Sequence, residues 1–457
     1  MLYIGLFIGL ALVFLLGRVI LDILDSDNVL NMLEIVSLSF LIGMGALTIL
    51  LFVLSFFYWP HKIIVLGIII TLLYIWQMRK KTRPAFLNKL NFKMISGIDL
   101  KKAIWIILLV IIAIKMSYSL VEATSKPEYS WDAGSHWAYP GKVIYGLSQR
   151  GFGNIPDILI KFPDHVCHYP KFIPYMHYWL FSWMGQDNDQ WSRIFFPMVL
   201  FCFAAIFYSI IRKNKGPIEA LFFLWILLSG PLFIYHSTFG YADFTCSSYF
   251  SIGILMFYQW ARDKKNIYFY LYSMFMSLTP WIKLEGRPLY LIGLMLLLIY
   301  LWRDYAQPPK DKLIKISQYL GAYIILALPW QLFLSLNKVA PLWNFELHLD
   351  YFFNLCASFY GNLFFDGSWG VVWIGIIAAL IFFYKELFNC ENKYLFFTLL
   401  LFHGLFFTTY LSFDMYLMSG AAINRQWLNI YPVAVFTVAC ITPHFEDFFK
   451  NKQKGTI

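Results

Sequence analysis

Charge is scarce in this chain: Asp, Glu, Lys and Arg make up 14% of its 457 residues, against about a quarter in a soluble domain. So thin a polar coat excludes a soluble globular protein. Cysteine is sparse and unpatterned. The six cysteines (Cys167, Cys202, Cys246, Cys356, Cys390, Cys440) show no CxxC spacing, which argues against a disulfide framework or zinc site and leaves them as small apolar residues. Only Cys167 and Cys356 fall in the long loops placed outside below. No internal repeat or low-complexity tract is evident, and no polar stretch is long enough to make a soluble domain.

What is present is apolar. Sixty per cent of the residues are hydrophobic and the mean hydropathy is +0.62, the composition of an all-α, polytopic transmembrane helix bundle. Aromatic residues reach 20%, which suits interfacial belts and a pocket for something flat or ringed. A net charge of +10 would fit nucleic acid, but its distribution does not. The basic clusters sit in short loops, at 79–83 with Lys101 and Lys102, 212–215, 262–265, 303–315, 385–393 and 450–454. The positive-inside rule makes these loops cytoplasmic.

Hydrophobic stretches near the length of a bilayer core occur at 2–22, 35–57, 62–78, 103–120, 191–211, 218–236, 242–261, 267–279, 289–302, 314–336, 370–384, 394–412 and 426–442, 13 candidate spans in all. With every basic loop inside, the amino terminus lies outside and the parity closes at the basic tail. Two long loops, 121–190 and 337–369, then face outward. The apolar stretch 172–184 is too short to span and would break the parity, so it is expected to lie in the interface. The first span carries Arg18 and lacks a basic leader, which argues against a cleaved signal. The expected organisation is 1–102, three extra spans and a basic linker; 103–442, the transmembrane core with both outer loops; and 443–457, a basic cytoplasmic tail.

Polar residues concentrate in the first outer loop. Residues 129–146, YSWDAGSHWAYPGKVIYG, place an acid, a histidine and a lysine at the membrane edge, where polar groups are expensive. Ser130 is the expected N-cap of a short helix with Asp132 in its first turn and His136 one turn on, ended or kinked by Pro140 with Lys142 beyond. Trp131 and Trp137 offer faces for a sugar ring; a capping acid and an aromatic belt explain the segment equally well. Further on, FPDHVCHYPKFIPYMHYW holds Asp164, His165, Cys167 and His168; their spacing is not diagnostic, and without a second ligand cluster hydrogen-bonded histidines are favoured over a metal. Asp243 stands at the outer end of its span. In LTPWIKLEGRP, Lys283, Glu285 and Arg287 surround Gly286 in an outer turn, where a phosphate ligand would explain the cations and a Lys283–Glu285 surface pair is the plain alternative. Arg425, in INRQWLNIYPV, either snorkels to headgroups or faces an anionic ligand.

Taken in order, these residues resemble the GT-C superfamily of polytopic glycosyltransferases, particularly the bacterial branch of aminoarabinose transferases and protein mannosyltransferases. The resemblance covers about residues 103–442 and rests on five elements in sequence: SWDAGSHW, the proline-rich YPKFIPYMHYW leading to Arg193, YAD at Asp243, KLEG, and NRQW. Tyr169-Pro170-Lys171 stands where relatives carry paired prolines, and Asp132 stands alone where some branches have paired acids. The resemblance implies transfer of a sugar from a polyprenyl phosphate or diphosphate to an acceptor at the outer face of the plasma membrane, with Asp132 as general base and Asp243 orienting a sugar. Lys142, Lys283, Arg287 and Arg425 become phosphate ligands; His136, His165 and His168 become hydrogen-bonding partners. No cofactor is certain from these residues, and a divalent metal is left open. An O-antigen ligase or polymerase, favoured by the acids of the 337–369 loop, and a lipid-linked oligosaccharide flippase are the rival readings. A carrier would hold its polar residues near the bilayer midplane and show inverted repeats.

Overall fold

The computed structural model describes residues 1–59, 61–80, 100–161, 168–304, 307–340, 345–365, 367–412 and 420–445. Among them every regular element is a helix, so the chain is an all-α polytopic membrane protein. In order these are α1 (Leu2–Leu24), α2 (Met32–Leu54), α3 (Lys62–Lys80), α4 (Leu100–Ser125), α5 (Tyr139–Gln149), α6 (Ile155–Ile160), α7 (Phe172–Met184), α8 (Asp189–Ser192), α9 (Phe195–Lys215), α10 (Pro217–Leu227) and α11 (Pro231–His236). There follow α12 (Ala242–Asp263), α13 (Asn266–Ile282), α14 (Gly286–Arg303), α15 (Pro309–Leu326), α16 (Leu328–Leu336), α17 (Phe352–Phe364), α18 (Val372–Phe382), α19 (Asn392–Leu411) and α20 (Gly420–Ile441).

Seven of these helices are long and apolar enough to cross a bilayer unaided. Two expected spans are broken. Residues 218–236 divide into α10 and α11 at Gly230-Pro231, and 314–336 divides into α15 and α16 with a 54° bend ahead of Pro329. Proline accounts for both breaks, since it has no N–H for the helix ladder.

Centrally placed α12 is buried along its whole length from Ala242 to Ala261, with α13, α20 and α9 around it. A helix apolar on every side belongs in such a position. α7 obeys the same rule. Every residue from Lys171 to Phe181 is buried, and the helix packs across the start of α1 at Gly5 and Gly9 and the end of α2 at Phe52 and Ser55. Its tryptophan edge is satisfied internally, Trp179 Nε1 donating to the Gly9 carbonyl at 2.9 Å.

The first three spans do not stand apart. α1 and α2 approach so closely that a Cβ on Gly17 would sit 1.7 Å from the Ser39 carbonyl oxygen, the small-residue contact typical of helices in lipid. Both helices bond onward into the core. Tyr249 Oη donates to the Leu41 carbonyl at 2.6 Å, Trp281 Nε1 to Thr48 Oγ1 at 3.0 Å, and Lys213 Nζ lies 2.6 Å from Glu34 Oε1.

Candidate functional site

Four helix ends and one loop converge on a buried ionic cluster. Asp243 lies in the first turn of α12, where the helix dipole favours a carboxylate. Lys283 follows the last turn of α13 in extended conformation (φ −150°, ψ 155°), which turns its side chain back toward α12. Its Nζ lies 2.6 Å from Asp243 Oδ1 and 3.0 Å from Glu285 Oε1. The turn is built around a close approach: a Cβ on Gly286 would lie 2.0 Å from the Thr279 carbonyl oxygen, so only glycine lets α14 start there. Thr279 Oγ1 secures the junction, donating to the Met276 and Gly286 carbonyls at 2.7 and 3.0 Å.

Arg425 enters from α20. Its Nη1 bonds Asp132 Oδ2 and stands 3.9 Å from Asp243 Oδ2, and its guanidinium lies 5.6 Å from the Tyr241 ring centroid. Arg425 therefore joins an acid of the 121–190 loop to the acid at the head of α12. Burial alone would depress the Lys283 ammonium, but Asp243 and Glu285 outweigh it and hold the group above its usual range. The Lys283–Glu285 contact is consequently a buried interaction, not the surface pair the sequence suggested.

Asp132 is positioned by its neighbours. The Ser130 hydroxyl does not cap the helix; it is buried without a partner, and the carboxylate of Glu128 instead accepts the backbone N–H groups of Tyr129 and Ser130 at 3.1 Å each. Glu128 in turn pairs with the fully buried Arg193 at 3.5 Å, while Arg193 also donates to the Lys126 carbonyl. Burial pushes the Glu128 carboxyl upward; the Arg193 charge opposes that shift. Gly240, with φ +73°, completes the mount, since a Cβ there would meet Glu128 Oε2 at 2.5 Å. Pro140 does not end the helix, which runs unbroken from Trp131 to Gln149; of the two expected outcomes, an end or a kink, the local departure from α geometry ahead of it fits the kink. A π turn over Ala133–Ala138 precedes it, and Pro140 sits in the first turn of α5, where its missing N–H is harmless.

The remaining candidate residues are placed elsewhere. Lys142 faces away from the cluster and bonds Asp189 Oδ2 at 2.9 Å. Arg287 is exposed and makes no ion pair among the described residues. His136 packs on the Tyr169 ring with centroids 5.1 Å apart, and His168 Nε2 meets the Ala340 carbonyl at 2.8 Å. His165, with Asp164 and Cys167, lies outside the described residues. Trp131 is 81% exposed and Trp137 only 2%, packed edge-on against Tyr169, so Trp137 is a core residue without a free face for a sugar. No cluster of three metal-ligating side chains occurs among the described residues.

Sequence reading overlooked Glu128 and Tyr241 and treated Glu285 as a bystander. Glu128 stands four residues before Asp132 in EYSWD, a spacing that offered the signal.

Beside the cluster a small groove opens between α14, α19 and α20. Glu285 and Gln426 lie at its polar end, and Leu289, Ile292, Phe402 and Phe406 line it. A larger cavity of about 550 Å³ lies at the other end of α12, lined by residues including Lys213, Lys215, Arg262 and Glu391. Its cations are engaged: Lys213 by Glu34, Arg262 by Asp263, and Lys215 by the Thr442 carbonyl. Size alone does not make it the functional site.

A helical membrane bundle in which the 121–190 loop delivers an acid to the ionic end of a buried helix is the arrangement that the resemblance to GT-C proteins implied. The fold comparison agrees: the chain is similar to the crystal structure of ArnT from Cupriavidus metallidurans in the apo state, a GT-C aminoarabinose transferase, with TM-score 0.51 and 13% identity over 77% of this chain and 62% of ArnT. The chain thus spans under two thirds of the length of ArnT. No family model and no curated protein matches the sequence.

Proposed function

We propose that the chain is a GT-C glycosyltransferase that moves a sugar from a polyprenyl-phosphate or -diphosphate donor to an acceptor at the outer face of the bacterial plasma membrane. The observation that carries this reading is the meeting of Asp132, Asp243, Lys283 and Arg425 in one ionic cluster on a GT-C fold, although 293 residues separate Asp132 from Arg425. Asp132, the more solvent-accessible acid, is the candidate general base for the acceptor hydroxyl, a role worth about 10²–10⁴-fold. Arg425 is the candidate phosphate ligand, since its planar fork matches phosphate oxygens. Asp243, less accessible and itself held by Lys283, stands behind Arg425 at 3.9 Å. Direct attack by the acceptor inverts the anomeric centre.

A further feature supports action at the outer face. Basic residues Arg212, Lys213, Lys215 and Arg262 occupy the last turns of α9 and α12, which by the positive-inside rule puts the opposite end, with the cluster, outside.

The test is a transfer assay with the purified full chain in lipid, a panel of polyprenyl-phosphate sugars and a crude envelope extract as acceptor. Asp132→Asn is expected to abolish transfer without altering the melting temperature. Transfer by Asp132→Asn at the wild-type rate would refute the assignment.

A further inference from the structure

The cluster has the wrong charge balance for the ligand it is proposed to bind. Three carboxylates (Asp132, Asp243, Glu285) face two cations (Lys283, Arg425), one negative charge in excess. His236, buried nearby with Nδ1 unpartnered, brings the balance only to zero if it is counted as a cation. A phosphate anion is repelled by such a site unless a carboxylate leaves or a divalent cation enters. Four-carbon flexibility does not free Lys283, whose Nζ is held by two carboxylates at 2.6 and 3.0 Å. Arg425 is the cation with an exchangeable partner.

The two halves of the cluster differ in access. The side chains of Lys283 and Asp243 are 9% and 6% exposed, whereas those of Arg425 and Asp132 are 24% and 28% exposed. Asp243 is fixed on a buried helix; Asp132 sits on an outer-loop segment next to a π turn, beside the fully exposed face of Trp131. Displacing Asp132 alone leaves Arg425 tethered to Asp243 and turns its outer N–H groups toward incoming anion.

We propose that Asp132 occupies the donor-phosphate subsite on Arg425 in the empty protein and is exchanged for the phosphate when the donor binds. This rests on the reading of Arg425 as the phosphate ligand. The exchange adds no anion to the cluster, because the phosphate takes the place of Asp132 on the same guanidinium. It also orders the reaction: Asp132, neutralised by Arg425 in the empty site, becomes an unpaired base only once donor is present. A lone acceptor then meets no active base.

The counterintuitive consequence is that removing the candidate base strengthens donor binding. The experiment titrates the full chain in nanodiscs with farnesyl phosphate, a short polyprenyl monophosphate, in EDTA and again in Mg²⁺. Asp132→Asn and Asp132→Ala are run together, so that a folding defect in one leaves the other to answer. Both are expected to bind about tenfold or more tightly than wild type, because no charge-assisted hydrogen bond has to be broken first. Arg425→Gln is expected to bind about tenfold or more weakly, with Arg425→Lys between them. Unchanged or weaker binding by the Asp132 variants at wild-type melting temperature overturns the exchange. So does wild-type binding that requires Mg²⁺ and vanishes in EDTA, since a cation would then be meeting the excess charge. If wild type transfers sugar but Asp132→Asn binds no more tightly, the exchange falls alone. If no polyprenyl-phosphate sugar is a substrate while the Asp132 variants still bind farnesyl phosphate more tightly, the functional reading falls and the exchange stands.

Discussion

Replacing Lys283 by Met separates a buried structural cation from a surface-bound ligand. Lys283 contacts Asp243 at 2.6 Å and Glu285 at 3.0 Å, and its side chain is almost wholly enclosed. Methionine keeps the volume but leaves the carboxylates with one cation, Arg425, between three of them. Removing one partner of a buried pair destabilises by about 3–5 kcal/mol, because an uncompensated charge remains behind. For a chain of 457 residues, unfolding entropy converts each kcal/mol into about 1 °C, so a melting-temperature drop of about 3–5 °C is expected. Asp132→Asn acts on the accessible pair and is expected to cost under about 1 kcal/mol. Differential scanning fluorimetry of both variants in one lipid preparation makes the comparison. Equal melting temperatures for Lys283→Met and wild type would refute the buried-pair argument and return Lys283 to the exposed phosphate ligand that its turn position suggested.

Gly286→Ala places a methyl group 2.0 Å from the Thr279 carbonyl oxygen, so the α13–α14 turn has to open; a loss of about 1–3 kcal/mol in thermal stability is expected. Arg193→Met strands the Glu128 carboxylate and is expected to lower stability by about 3–5 kcal/mol, with Arg193→Met/Glu128→Gln recovering part of it in the same melting assay. Trp137→Ala is expected to cost about 3–5 kcal/mol as a core truncation, while Trp131→Ala leaves melting unchanged; equal effects would contradict the placement of the two rings.

Hydropathy and charge made the fold class legible, because a bilayer demands long apolar runs and the basic loops give them a direction. Span integrity was less legible. Gly230-Pro231 and Pro329 break runs whose average hydropathy is undisturbed. Segment 172–184 was legible as a helix too short to span, but its burial was not, because thirteen apolar residues look alike facing lipid or protein until the Gly9 carbonyl and α1 are in place.

Within the site, Asp132, Asp243, Lys283 and Arg425 could be picked out individually as polar groups at membrane boundaries, where each needs a partner. Their partners could not. Lys283 had an obvious local acid in Glu285, and only the extended backbone at Lys283 shows that it also reaches Asp243, forty residues away. Lys142 and Arg287 satisfied the same compositional criterion and fell outside, one onto Asp189 and one onto the surface, because a helix face is set by packing and not by residue type.

A structure of the full chain in a nanodisc with a bound polyprenyl phosphate tests the central claim most directly. The account predicts phosphate density within hydrogen-bond distance of the Arg425 guanidinium and the Asp132 carboxylate withdrawn from Arg425. Phosphate bound instead in the cavity near Arg262, with Asp132 still on Arg425, would contradict it.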